Sequence, residues 1–419
     1  MKKAISTALV FLAAAVLTLS VVACAPHQAG DDDQSPADDD NDTAAPDDDD
    51  DDASPPADDD DDASPADDDD NDDANGPFGA TGTAVAIGTD GDAHVLTNSG
   101  DNLTLYSWLA GAWSHEVVGA NDADPQRAAG VAGSLHAAYL HHLDGPDGPA
   151  DLIYATNRGG QWEETTLAHG NASVEIGAPS LAVNAGADVH VLYNAVTEYA
   201  DDLIYAVKED GVWTQNAIPG LISGTYCNGL AVDSAGVAYI SCLLNTGFTS
   251  YLVLQISNGS GQWTTKFVAA YTGALGDYIP QVGEPQIAVD GGNHSDIVCD
   301  YCIDPEMGWE YCTLTYNFDG IWQAQWQASI GSLASLAVAA DAADRPHIFL
   351  VDGALKHFTM SNGALIGETV DAGAVDGTVS AATAPNDKVA VAYVSGDELK
   401  FAEGNTGAWT ISVVAGPSR

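Results

Sequence analysis

Six copies of Gly-x-Trp punctuate this chain, at Gly111/Trp113, Gly160/Trp162, Gly211/Trp213, Gly261/Trp263, Gly320/Trp322 and Gly407/Trp409. A seventh, degenerate copy, Gly363-Ala364-Leu365, places Leu365 43 residues after Trp322 and 44 before Trp409. Self-similarity at a fixed period means a fold built from stacked copies of one supersecondary unit. Five residues beyond the aromatic, six of the copies carry an apolar residue: Val118, Leu167, Ile218, Val268, Val370 and Val414. An odd offset in an extended chain puts that residue on the opposite strand face from the Trp, so both faces of the unit are buried.

A second motif precedes several of these marks by roughly 30 residues. It reads Leu181-Ala182-Val183-Asn184, Leu230-Ala231-Val232-Asp233, Ile287-Ala288-Val289-Asp290 and Leu336-Ala337-Val338-Ala339. Small and β-branched residues suit an inner strand crowded near an axis. Short alternating runs such as Val189-His190-Val191-Leu192-Tyr193 dominate, with no sustained helical period. Each unit therefore reads as four strands. The expectation is an all-β fold, a seven-bladed β-propeller over residues 77–419, with a six-bladed ring as the alternative.

The turn before the fourth strand resembles the Asp-box, or BNR-like, repeats of the sialidase superfamily. Lys208-Glu209-Asp210-Gly211-Val212-Trp213 and Asn317-Phe318-Asp319-Gly320-Ile321-Trp322 carry the likeness, although the family's serine is absent and most copies lack the Asp. The resemblance implies a propeller. A sialidase also needs an arginine cluster for the substrate carboxylate, whereas this domain has Arg127, Arg158, Arg345 and Arg419, none in the family's arginine-isoleucine-proline motif.

Ahead of the repeats, Lys2 and Lys3 precede an uncharged apolar run from Ala4 to Ala23, as in an export signal. Val21-Val22-Ala23-Cys24 resembles the bacterial lipobox, which implies a signal peptide over 1–23 and a diacylated Cys24 as the mature N-terminus. The domain is then a lipid-anchored membrane partner, and Ala25 rather than Asp after the cysteine favours the outer membrane, on its periplasmic or cell-surface face. Residues 24–76 are the linker. Of 62 acidic residues, 24 are Asp between 31 and 73, a stretch without apolar surface whose charges repel. A coil of about 50 residues averages roughly 40 Å end to end and extends to about 170 Å at most.

The remaining chain still holds 38 acids against 9 bases, within a net charge of -51. That excludes nucleic acid as a partner, which needs clustered Lys and Arg. A monomer is expected.

His94, His136, His190 and His347 recur at the start of the second strand. Zinc draws its nitrogen ligands to about 2.0–2.1 Å, closer than repeat-equivalent atoms of different blades approach, so these are expected to be hydrogen-bonded structural histidines and no metal site is assigned. Calcium is the one cofactor the Asp-Gly turns, such as Asp90-Gly91-Asp92, admit. Export permits disulfides, and Cys227–Cys242 and Cys299–Cys312 are the expected pairs, leaving Cys302 over.

No catalytic constellation names a reaction. The expected ligand site is the face built by loops between second and third strands and between blades. It gathers Arg127, His141, His142 and Asp144 from the second unit, and Tyr199 and Phe248 from the next two. Tyr271, Tyr278, Glu306 and Trp309 complete it. Aromatic and acidic groups together suit a glycan, a cationic peptide or another protein partner. The expectation is a non-catalytic recognition or scaffold lipoprotein; the alternatives are a divergent sialidase-like glycan hydrolase and a purely structural envelope protein.

Overall fold

The computed structural model describes most residues between 83 and 416. The expected signal, Cys24 and the acidic linker lie outside the described residues. The described strands form seven antiparallel sheets, each with a meander of four strands consecutive in the chain, spanning residues 83–120, 123–168, 174–217, 225–272, 281–327, 335–371 and 379–415. The inner strand of each sheet touches the inner strands of the sheets before and after it, and that of the seventh touches that of the first. A closed ring of seven four-stranded sheets is a seven-bladed β-propeller. We number the blades 1 to 7 in chain order.

Local chemistry explains each blade. The Gly of Gly-x-Trp sits at positive φ in the turn before the outer strand, at 86° for Gly111 and 83° for Gly211. Its predecessors Ala110 and Asp210 share that region at 53° and 51°. These two-residue turns, closed by the pairs Leu109/Ala112 and Glu209/Val212, have the left-handed geometry that matches strand twist, and Gly adopts it without strain. At the turn between inner and second strands an Asx side chain accepts from its own backbone. Asp233 Oδ1 takes the N–H groups of Ala235 and Val237, and Asp341 Oδ1 those of Ala343 and Arg345, all at 2.9 Å.

The register corrects one motif. Ala182, Ala231 and Ala288 lie opposite His190, Tyr239 and Asp296, and in blade 6 the residue in that position is Ala339, opposite His347. The counterpart there is Val338-Ala339-Ala340-Asp341, two residues beyond the expected Leu336-Ala337-Val338-Ala339. A slip of two keeps every side chain on its face, so alternation alone cannot detect it; the turn-forming Asp341 fixes the register.

Seven apolar clusters fill the seven interfaces between blades. Trp113, Trp162, Trp213, Trp263 and Trp409, with Leu365 as their counterpart, pack toward the preceding blade. The apolar residues five positions on pack toward the following one. Val118, Leu167, Val268, Val370 and Val414 are each the extra residue of a β-bulge. The bulge swings that side chain inward while its neighbour turns to water: Val118 is 7% exposed and Val117 54%. The outer strand of Trp322 is in place, and its side chain lies outside the described residues.

Indole N–H groups reach across the interfaces as well. Trp162 Nε1 donates to Glu116 Oε1 at 3.1 Å, Trp409 Nε1 to Glu368 Oε1 at 3.0 Å, and Trp113 Nε1 to Ser412 Oγ at 3.3 Å. The last contact helps close the ring, with Thr83 N donating to Thr378 Oγ1 and Val85 N to Ser380 Oγ. Among the described residues no strand is shared between blades 7 and 1, so closure there rests on side chains.

Candidate functional site

In a four-stranded meander the turns between strands one and two and between three and four lie at one end, and the loop between two and three at the other. A pocket opens at the first of these ends, between blades 2 and 3, with a volume of about 320 Å³. Blade 2 contributes His136, Tyr154, Thr156 and Glu163; blade 3 contributes the turn Gly186-Ala187-Asp188, then Val189, Lys208, Asp210 and Gly211.

The floor is aromatic and fixed. Tyr154 is 1% exposed, its hydroxyl lies 2.7 Å from His136 Nδ1, and Trp213 meets it edge-on with ring centroids 5.0 Å apart. Lys208 Nζ rests over the Tyr154 ring, 4.9 Å from its centroid, and 5.7 Å from that of Trp213. The ring quadrupole attracts the ammonium there. Behind the pocket, His190 Nδ1 contacts the Tyr205 hydroxyl at 2.5 Å, and burial pushes the His190 imidazole down to about 4. The imidazole is therefore neutral at pH 7.

The rim is acidic. Asp188 Oδ2 accepts from Asn184 Nδ2 at 2.9 Å, which orients it on the turn. Asp210 and Glu163 are solvent-exposed. Thr156 lines the pocket at 5% exposure and its hydroxyl has no hydrogen-bond partner. An unmet buried polar group costs about 1–3 kcal/mol unless something else fulfils it.

The second-strand histidines are all held by third-strand side chains. His94 Nδ1 lies 2.9 Å from Ser107 Oγ, and His347 Nδ1 lies 2.8 Å from His357 Nε2. The structural role expected for them is met. Their blade-5 counterpart is Asp296, which is 4% exposed and pushed up to about 8 by burial, with Asp290 and Asp344 adding to the shift.

The sequence-predicted ligand residues that the structure describes lie away from this pocket. His141 and His142 close the second strand of blade 2, half-buried, and His142 Nδ1 lies 3.3 Å from Gly148 O. The backbone of Arg127 lies in the inner strand of blade 2, Tyr271 pairs with Ser250, and Trp309 is the second residue of the third strand of blade 5; their side chains lie outside the described residues. Asp144, Tyr199, Phe248, Tyr278 and Glu306 lie wholly outside them. Sequence reasoning missed the pocket because each lining residue passes for ordinary turn or strand chemistry. His136 is marked in the sequence as a structural histidine, Val189 as part of an alternating strand, and Lys208, Asp210 and Gly211 as part of an Asp-box-like turn, none of them as ligand contacts.

Cys227 and Cys242 form the expected disulfide across the first two strands of blade 4. Cys299 is buried and stands directly opposite Cys312 in the strand register, with the Cys312 and Cys302 side chains outside the described residues.

No family model matches the sequence, and no curated protein matches it. Among solved structures the chain is similar to a fucose-recognising lectin from Aleuria aurantia, described as a six-bladed β-propeller. Identity is 12% over 81% of this chain and 97% of that one, with a TM-score of 0.45. It is also similar to a protein of unknown function from Dyadobacter fermentans, at 11% identity over 80% and 94% of the two chains and a TM-score of 0.45. The polysaccharide lyase Uly1 gives 10% identity over 68% and 80%, with a TM-score of 0.46. The assignment of seven blades rests on this chain's own sheet order and ring of contacts.

Proposed function

We propose that this chain is a non-catalytic envelope recognition protein whose propeller binds a glycan in the pocket between blades 2 and 3. Lipid at Cys24 and the acidic linker hold it off an outer-membrane surface. The observation that carries the reading is the pocket itself: a cavity of about 320 Å³, at the small end of ligand sites, in which a rigid aromatic floor meets hydroxyl, carboxylate and ammonium groups from two blades. Polyhydroxylated rings are bound by such mixtures of polar groups over a pre-formed floor.

A sialidase-like hydrolase would instead need arginines free to hold a carboxylate. Arg345 is engaged by Asp341, with Nε donating to Oδ2 at 2.8 Å. The test is equilibrium binding of the full chain to an oligosaccharide panel, with product analysis of the same mixtures. Saturable binding without turnover is expected. Turnover of any glycoside would replace the reading by the enzymatic one, and absence of binding would leave a scaffold.

A further inference from the structure

Resting on that glycan reading, we infer that the sugar taken by the pocket between blades 2 and 3 carries a free amino group, so that the ligand is an amino sugar bound as its ammonium. Glu163, Asp188 and Asp210 approach the cavity from three separate segments, against the single ammonium of Lys208. That ammonium is drawn over the aromatic floor. The pocket thus has an excess of negative charge inside a domain that is itself acidic, and the field favours a cation.

The cation is not a bare metal ion. Among the described residues no three His, Cys, Asp or Glu side chains converge closely enough to hold one. Carboxylates spread around a cavity suit a charge carried on a larger body. That body is polar, because the lining is rich in polar side chains. A lysine side chain would bring an apolar stem to these walls, whereas a hydroxylated ring brings donors and acceptors that match their polar groups.

The experiment compares four probes on the full chain by calorimetry at pH 6.5 and low salt: glucosamine tetrasaccharide, its fully N-acetylated form, cellotetraose and a tetralysine peptide. The first three share one backbone and differ at a single substituent. The glucosamine tetramer is expected to bind at least about tenfold more tightly than the two uncharged sugars, the ratio that about 1.4 kcal/mol represents. Each of Glu163→Gln and Asp210→Asn, both at exposed positions, should weaken it about two- to fivefold and leave the uncharged sugars unchanged. The linker carries its own negative charge, but it is common to every variant, so differences between variants report the pocket alone.

Equal binding of all three sugars would overturn the amino-sugar inference while leaving the glycan reading intact. Binding to none would overturn both. A preference for tetralysine that falls with the carboxylate substitutions, or a glucosamine affinity indifferent to them, would also overturn the inference.

Discussion

His347 Nδ1 and His357 Nε2 lie 2.8 Å apart, in the middle of a buried chain that runs from Asp341 Oδ2 through both imidazoles to Glu368 Oε1. Each imidazole is 1% exposed. Burial pushes both down, His357 to about 4, against the pull of the carboxylates at the two ends. Two neutral imidazoles bring two N–H groups to three contacts, so one of the three is left without a proton.

The linkage sign follows from that direction. A histidine whose folded pKa lies below its unfolded value of about 6.5 takes up its proton more readily when unfolded. Its contribution is full above about pH 6.5 and is lost as pH falls toward 4. The fold should therefore lose stability in that window, through His190 as well as this pair. His357→Phe should cost about 1–3 kcal/mol at pH 7 through lost hydrogen bonds, yet show a shallower decline between pH 6.5 and 4. Urea titrations at pH 7 and 4.5 on both proteins check this; parallel declines would show that His357 does not contribute.

Asp296 carries the opposite sign. Its folded pKa is raised to about 8, so the folded chain keeps a proton that the unfolded chain releases above about pH 4. Stability falls as pH rises from 4 to 8, by roughly 4 kcal/mol from this group alone at pH 7. Asp296→Asn removes the titration and should raise stability by a few kcal/mol at pH 8 and hardly at all at pH 4. Thermal melts at the two pH values are the check.

Close packing near the axis makes Gly229 intolerant. A Cβ added there would fall 2.1 Å from Ser241 Oγ and 2.8 Å from the Pro285 carbonyl oxygen of the next blade. Gly229→Ala should cost about 1–3 kcal/mol as overpacking, read from chemical denaturation. Trp409→Ala, which removes an indole packed on Phe349 and His357 of blade 6, should cost about 3–5 kcal/mol.

The Cys227–Cys242 bond spans 15 residues of one hairpin. Replacing both cysteines by Ala should cost about 2–4 kcal/mol, consistent with loop closure in the unfolded chain. A reductant titration followed by denaturation measures the same difference in the native protein.

Much of the scaffold was legible because repetition multiplies weak signals. The Gly-x-Trp copies located all seven outer strands, even where Leu365 replaces Trp, and the offset of five assigned the two buried faces. The bulge at Val118 and its counterparts was not legible, since the outer strands are exposed along most of their length and carry no alternation for an extra residue to break. Nor was the two-residue slip at Ala339. The pocket escaped for a different reason: Thr156, Glu163, Lys208 and Asp210 come together through the stacking of blade 2 on blade 3. The residues expected at the ligand face follow from loop position and from aromatic and acidic composition, which are guides to exposure and not to a cavity.

The most direct test of the recognition site is hydrogen exchange on the full chain with and without saturating glucosamine tetrasaccharide. Slowed exchange confined to residues 154–163, 186–189 and 208–211, the walls of the pocket, is the predicted result. Protection confined to the loops beside His141, His142 and Tyr199, or no protection anywhere, would contradict it.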